Sequence, residues 1–114
     1  MFARTSLAAL ATPLRARSKG MLLHLSCGAL GIKVSQSEAI GYAAKYGFDA
    51  VDADGRYLAT LSESELKRLL ADMKTKNVAW ATAGLPVDFR KDEAAFTSSF
   101  KSFPDYAAGL QRAG

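Results

Sequence analysis

From Met21 onward, apolar runs of strand length alternate with amphipathic stretches of helix length, and this alternation constrains the fold of the 114-residue chain more than any other feature. Residues 22–27, from Leu22 to Cys27, form a short, mostly apolar run that stops at Gly28 and reads as a buried strand. A loop with Gly28 and Gly31 follows. Ser35 or Ser37 can cap a helix over 36–46, whose Ile40, Ala43, Ala44 and Gly47 recur at helical spacing. Gly47 suits the C-terminal stop, because glycine takes a left-handed turn without steric cost. Residues 48–53 form a second strand, ended by the turn pair Asp54-Gly55, and a long loop is expected from there to Leu61.

The second half repeats the pattern. Ser62 and Glu65 stand in capping-box register and open a helix with Leu66, Leu69, Leu70 and Met73 on one face. Lys74 and Lys76 suit its last turn, where cations complement the helix dipole, and Asn77 stops it. Residues 78–83 are the third strand and 84–90 a loop. Asp92 can cap a third helix carrying Phe96, Phe100 and Phe103. Pro104 breaks or kinks it, because proline lacks an N–H and clashes with the preceding turn, and a helical tail follows over 105–112. The order is β-α-β-α-β-α, in units of roughly 30 residues. It implies parallel strands joined by right-handed crossovers, as in a (β/α)8 TIM barrel. Such a barrel closes with eight strands, so an α/β chain of three units is expected to be its incomplete first part, residues 21–114 being the N-terminal portion of the barrel domain.

Charge and composition narrow the function classes. Hydrophobic residues make up 49% and charged residues 23%, as in ordered globular chains. The net charge is +4, and Arg4, Arg15, Arg17 and Lys19 account for it within an acid-free leader, residues 1–20. The remainder has 11 residues of each sign, so no basic face for nucleic acid is expected. The leader has three readings: a mitochondrial-type targeting segment, a short secretory signal broken by Pro13, or an upstream extension before a start at Met21. The expected compartment is the cytoplasm, with an organelle or export as the alternative if the leader is a real targeting segment. No apolar run approaches the roughly 18–20 residues of a membrane-spanning helix. The one cysteine, Cys27, allows no internal disulfide and reads as a small buried hydrophobe.

Several stretches resemble the xylose-isomerase-like family of sugar-phosphate isomerases and epimerases. Glu38-Ala39-Ile40, followed by Ala43-Ala44-Lys45-Tyr46-Gly47-Phe48-Asp49-Ala50-Val51-Asp52, is similar to that family's first helix running into its second strand. Leu85-Pro86-Val87-Asp88-Phe89-Arg90, with Phe96 beyond, is similar to the loop and helix after its third strand. The resemblance implies a barrel enzyme of carbohydrate metabolism that isomerises or epimerises a sugar or sugar phosphate with a divalent metal. It places the metal ligands on later strands, so none is assigned here, and this portion by itself is expected to be inactive. Where the family usually has Glu, this chain has the shorter Asp52.

Function in such barrels sits at the C-terminal strand ends. That makes Asp52, Gly84, Leu85 and Pro86 the candidate substrate-binding residues, with no catalytic residue assigned. By strand alternation Asp52 points to the barrel mouth, where it bonds a sugar hydroxyl or orients a ligand. The competing reading is a solvated or turn-capping aspartate. A calcium loop around Asp52-Ala53-Asp54-Gly55 fails, because Ala50 and Leu61 would occupy its first and last ligand positions. A receiver-type phosphoacceptor pocket lacks its acid pair at Ser26-Cys27-Gly28, and neither phosphate-loop motif is present. His24, the only histidine, reads more simply as a satisfied core residue than as a base, and Cys27 lies on the opposite strand face from it. The alternative to a barrel enzyme is a small self-contained α/β binding or protein-interaction module that uses the phenylalanine stripe.

Overall fold

The computed structural model describes residues 20–114; the leader reading falls almost wholly outside that range. Three parallel strands, β1 (His24–Leu25), β2 (Ala50–Ala53) and β3 (Ala79–Ala83), lie side by side in chain order. Five helices accompany them among the described residues: α1 (Gln36–Tyr46), α2 (Gly55–Thr60), α3 (Glu63–Lys76), α4 (Glu93–Phe100) and α5 (Phe103–Ala113). The α/β class and the parallel order expected from sequence are therefore present.

Local signals set most boundaries. Ser35 caps α1 with Glu38 completing the box, and Ser62 caps α3 with Glu65 doing the same. Gly47 ends α1 at φ 80° and Asn77 ends α3 at φ 56°, both left-handed. Asp92 caps α4 through the Ala95 N–H. The helical run breaks at Lys101-Ser102, and Pro104 sits in the first turn of α5, where its missing N–H costs nothing. One expectation needs correction. The stretch between Asp54 and Leu61 is not a long loop: the Asp54 carboxylate accepts from the Arg56 and Tyr57 N–H groups and opens α2. A turn signal and a helix cap use the same residue, and the fully buried Leu58 decides for the helix.

One apolar core lies on one face of the sheet. Leu25, Val51 and Ala53 of the strands, with Cys27 just past β1 and Val78 just before β3, meet Ile40 and Ala43 of α1, Leu58 of α2, Leu66, Leu69 and Met73 of α3, and Ala113 of α5. Ile40, Val51 and Leu58 are completely buried, which stabilises the fold by about 1.5–3 kcal/mol per side chain. Cys27 is part of this core, as its sequence position implied. Trp80 packs against it and donates its indole N–H to the Ala113 carbonyl at 3.3 Å. The other sheet face carries His24, Ser26, Asp52 and Thr82, bonded to one another rather than to the apolar core.

The C-terminal helix closes back on α2 through a glycine contact. A Cβ at Gly109 would overlap the Gly55 carbonyl oxygen and lie 2.8 Å from the Ala59 nitrogen. Arg112 then reaches the end of α2, donating to the Leu61 carbonyl at 2.8 Å and pairing with Glu63 at 3.0 Å. Gly109→Ala is therefore expected to lose about 1–3 kcal/mol in urea denaturation. Gly41→Ala, in α1 with open space around it, is expected to gain about 0.5–1 kcal/mol in the same assay.

Candidate functional site

The C-terminal end of the central strand gathers the polar side chains of the sheet. The pairing His24↔Ala50 and Leu25↔Val51 carries Ser26 opposite Asp52. On the other side, Val51 pairs with Trp80 but Ala53 pairs with Ala83, so β3 holds one extra residue across from Asp52. The irregularity matters because simple alternation puts Thr82 on the same face as Trp80, toward the core. The extra residue turns Thr82 to the open face, as bulges do when they re-aim a side chain.

Asp52 is the centre of this group. Its Oδ2 accepts from the Ser26 hydroxyl and its Oδ1 from the Thr82 hydroxyl, both at 2.6 Å. Those lengths are typical of hydroxyls donating to an ionised carboxylate. His24 Nε2 lies 2.7 Å from Oδ1 and is sealed from solvent, but its N–H is not aimed along that line, so it is a close polar contact without a well-formed hydrogen bond. A proton must sit on Nε2, because two lone pairs would repel at that distance. Burial pushes the Asp52 carboxyl up, but the Ser26 and Thr82 hydroxyls and then the His24 imidazole together outweigh it, and the group stands below the ordinary 3.8.

The backbone around Asp52 is held by Gln36, the first residue of α1. Its side chain is buried, donating to the Asp52 carbonyl at 2.9 Å and accepting from the Asp54 N–H at 2.8 Å. This single amide joins the start of α1 to the end of β2 and places Asp54 to cap α2. A cavity of about 420 Å³ opens at this end, lined by Cys27, Gly28, Lys33, Gln36, Asp52 and Asp54 among others.

The remaining candidates lie elsewhere. Gly84 uses its carbonyl to accept the Tyr106 hydroxyl at 2.6 Å, which ties the loop after β3 to α5. Burial and then the Asp54 carboxylate raise the Tyr106 phenol, which keeps it a donor. Leu85 is 63% exposed, and with Pro86 it lines a separate cavity of about 380 Å³ running to Arg90. The structure thus keeps Asp52 at a polar strand-end site but does not bring Leu85 or Pro86 into its cavity. A larger groove of about 470 Å³ between α2 and α5 holds Arg56, Asp105 and Arg112. Arg112 there is already committed to backbone carbonyls and Glu63, so the strand ends are the better candidate.

Sequence reasoning missed Ser26, Thr82, Gln36 and the placement of His24. Strand alternation puts His24 and Ser26 on one face of β1, a signal carried by the residue order itself. Nothing in the residue order marks the extra residue of β3 or the reach of Gln36. Among the described residues no three His, Cys, Asp or Glu side chains gather where they could hold a metal. His24 with Asp52 is one pair, short of the ligand number a divalent cation takes. No helix of the described residues is long and apolar enough to cross a membrane. Comparison with protein-family models, with curated proteins and with solved structures finds no match.

Two outcomes follow from this geometry. Gln36→Met leaves the Asp54 N–H and the Asp52 carbonyl without their partner and is expected to cost about 1–3 kcal/mol, with faster amide exchange at Asp54 as the local readout. The depressed Asp52 carboxyl stabilises the fold above its ordinary pKa of 3.8, and that stabilisation is lost as pH falls through the lower folded value. Unfolding midpoints measured from about pH 7 to about pH 2 should fall with acid, and less steeply in Asp52→Asn.

Proposed function

We propose that this chain is the first three βα units of a larger (β/α)8 barrel enzyme, and that Asp52 and its neighbours form part of the wall facing a polyhydroxylated substrate, a sugar or sugar phosphate. The observation that carries the reading is the division of the sheet into two faces. One is packed by helices; the other shows a carboxylate, two hydroxyls and an imidazole at the C-terminal strand ends, the place where such barrels keep their chemistry. The unreversed strand order 1-2-3 is that of the opening units of such a barrel.

The reaction we propose for the whole enzyme is isomerisation or epimerisation: a proton moves next to a sugar carbonyl. In it Asp52 stays ionised and orients the substrate through hydrogen bonds, while Ser26 and Thr82 hold the carboxylate in place. The divalent metal implied by the sequence resemblance would be held by residues on later strands, where that resemblance places its ligands.

A second reading, a self-contained α/β binding module, draws on one observation. Leu85, Phe89, Phe96 and Phe100 are exposed, and Phe96, Phe100 and Phe103 stack with centroids 5.8 and 5.9 Å apart. The two readings separate on the native polypeptide isolated from its source. The barrel reading expects a chain of about 250 residues that, with a divalent metal, exchanges solvent deuterium into the carbon next to a sugar carbonyl. It also expects Asp52→Ala to lower that exchange about tenfold or more. A native protein of 114 residues that unfolds in one sharp transition and exchanges no deuterium would sink the enzyme reading in favour of the module.

A further inference from the structure

We infer that the Asp52 cluster is a subsite for the neutral hydroxyl groups of a polyol and that it turns anions away, so that any phosphate on the substrate is held elsewhere. The inference rests on the reading of this sheet face as a substrate wall, and it names which end of the substrate meets it.

The protons of the cluster are all committed. An ionised carboxylate only accepts hydrogen bonds, and each hydroxyl has a single proton to donate. Ser26 gives its proton to Oδ2 and Thr82 gives its own to Oδ1. Both hydroxyl oxygens therefore present only lone pairs to a ligand. The one other proton in the cluster, on His24 Nε2, is sealed from solvent against Oδ1. Across the three strands the face thus offers Ser26 Oγ, the Asp52 carboxylate and Thr82 Oγ1 in a row of acceptors, with Thr82 exposed and the other two half-buried.

A row of acceptors around one negative charge selects donors. Hydroxyl groups of a polyol can each turn a proton toward it and keep their own oxygens for water. A phosphate brings oxygens that are themselves acceptors and a like charge, so it meets repulsion on both counts. A metal cation finds too few ligands among the described residues. An organic ammonium would find the Asp52 carboxylate half-buried, with both oxygens already accepting from Ser26 and Thr82.

The test is a titration of the full chain, followed by amide chemical shifts, with xylitol, inorganic phosphate and ethanolamine as probes. Xylitol should produce saturable shifts at Ser26, Asp52 and Thr82, while phosphate and ethanolamine at equal concentration leave those amides in place. Thr82→Val, a substitution on the exposed edge strand that keeps side-chain shape, should weaken the xylitol response. Asp52→Asn removes the charge, adds an NH2 donor and frees the proton of whichever hydroxyl faces it, and should weaken xylitol about tenfold or more while admitting phosphate. Tighter phosphate than xylitol, saturation by ethanolamine instead, or no xylitol response in a folded chain would each overturn the inference. The outcomes separate from those of the enzyme reading: xylitol binding without deuterium exchange by the native protein keeps the subsite and removes the isomerase, and the converse removes the subsite alone.

Discussion

The Gln36 amide makes the contact on which the rest of this structure turns. It reaches from the first turn of α1 to the main chain on both sides of Ala53, accepting the Asp54 N–H and donating to the Asp52 carbonyl. A parallel strand in the middle of a sheet has its backbone groups satisfied by its neighbours along its length, but at its C-terminal end the chain must leave the ladder. Buried backbone groups there need partners from elsewhere. Gln36 provides them, and as a result three things are placed at once: the Asp52 side chain on the open face, Ala53 in the core, and Asp54 as the cap of α2.

From that point the packing runs outward in two directions. Toward the helices, α2 brings Leu58 into the core and Gly55 against α5, whose Gly109 allows the two backbones to touch. Tyr106 and Arg112 of α5 then fasten the Gly84 loop and the end of α2 with hydrogen bonds to carbonyls. Toward the open face, the same strand end holds a carboxylate with its two oxygens engaged by hydroxyls from both neighbouring strands. A carboxylate held this way is ionised and rigid, which is what binding by fixed acceptors requires.

The two faces of the sheet obey different rules. The helix-covered face is apolar and closed, and its stability comes from area removed from water. The other face is polar at its C-terminal end, where the Ser26 and Thr82 hydroxyls satisfy the Asp52 carboxylate. Such a face is costly to build unless its members are paired, and here only the His24 N–H lacks a well-aimed partner.

Much of the architecture was legible from residue order. Capping boxes at Ser35 and Ser62, left-handed stops at Gly47 and Asn77, and the alternation of strand and helix lengths are local signals, set by backbone hydrogen bonds within a turn or two. They determined three parallel strands in order, the limits of α1 and α3, and the burial of Cys27. The tertiary structure alone decided the helical state of residues 55–60, where buried Leu58 outweighs the turn signal of Asp54-Gly55. It also decided the reach of Gln36, the separation of Leu85 and Pro86 from the Asp52 cavity, and the turning of Thr82 toward Asp52 by the extra residue in β3. These depend on the register of one strand against another and on which backbone groups are left unpaired when segments meet. Neither quantity exists until residues distant in sequence are brought together.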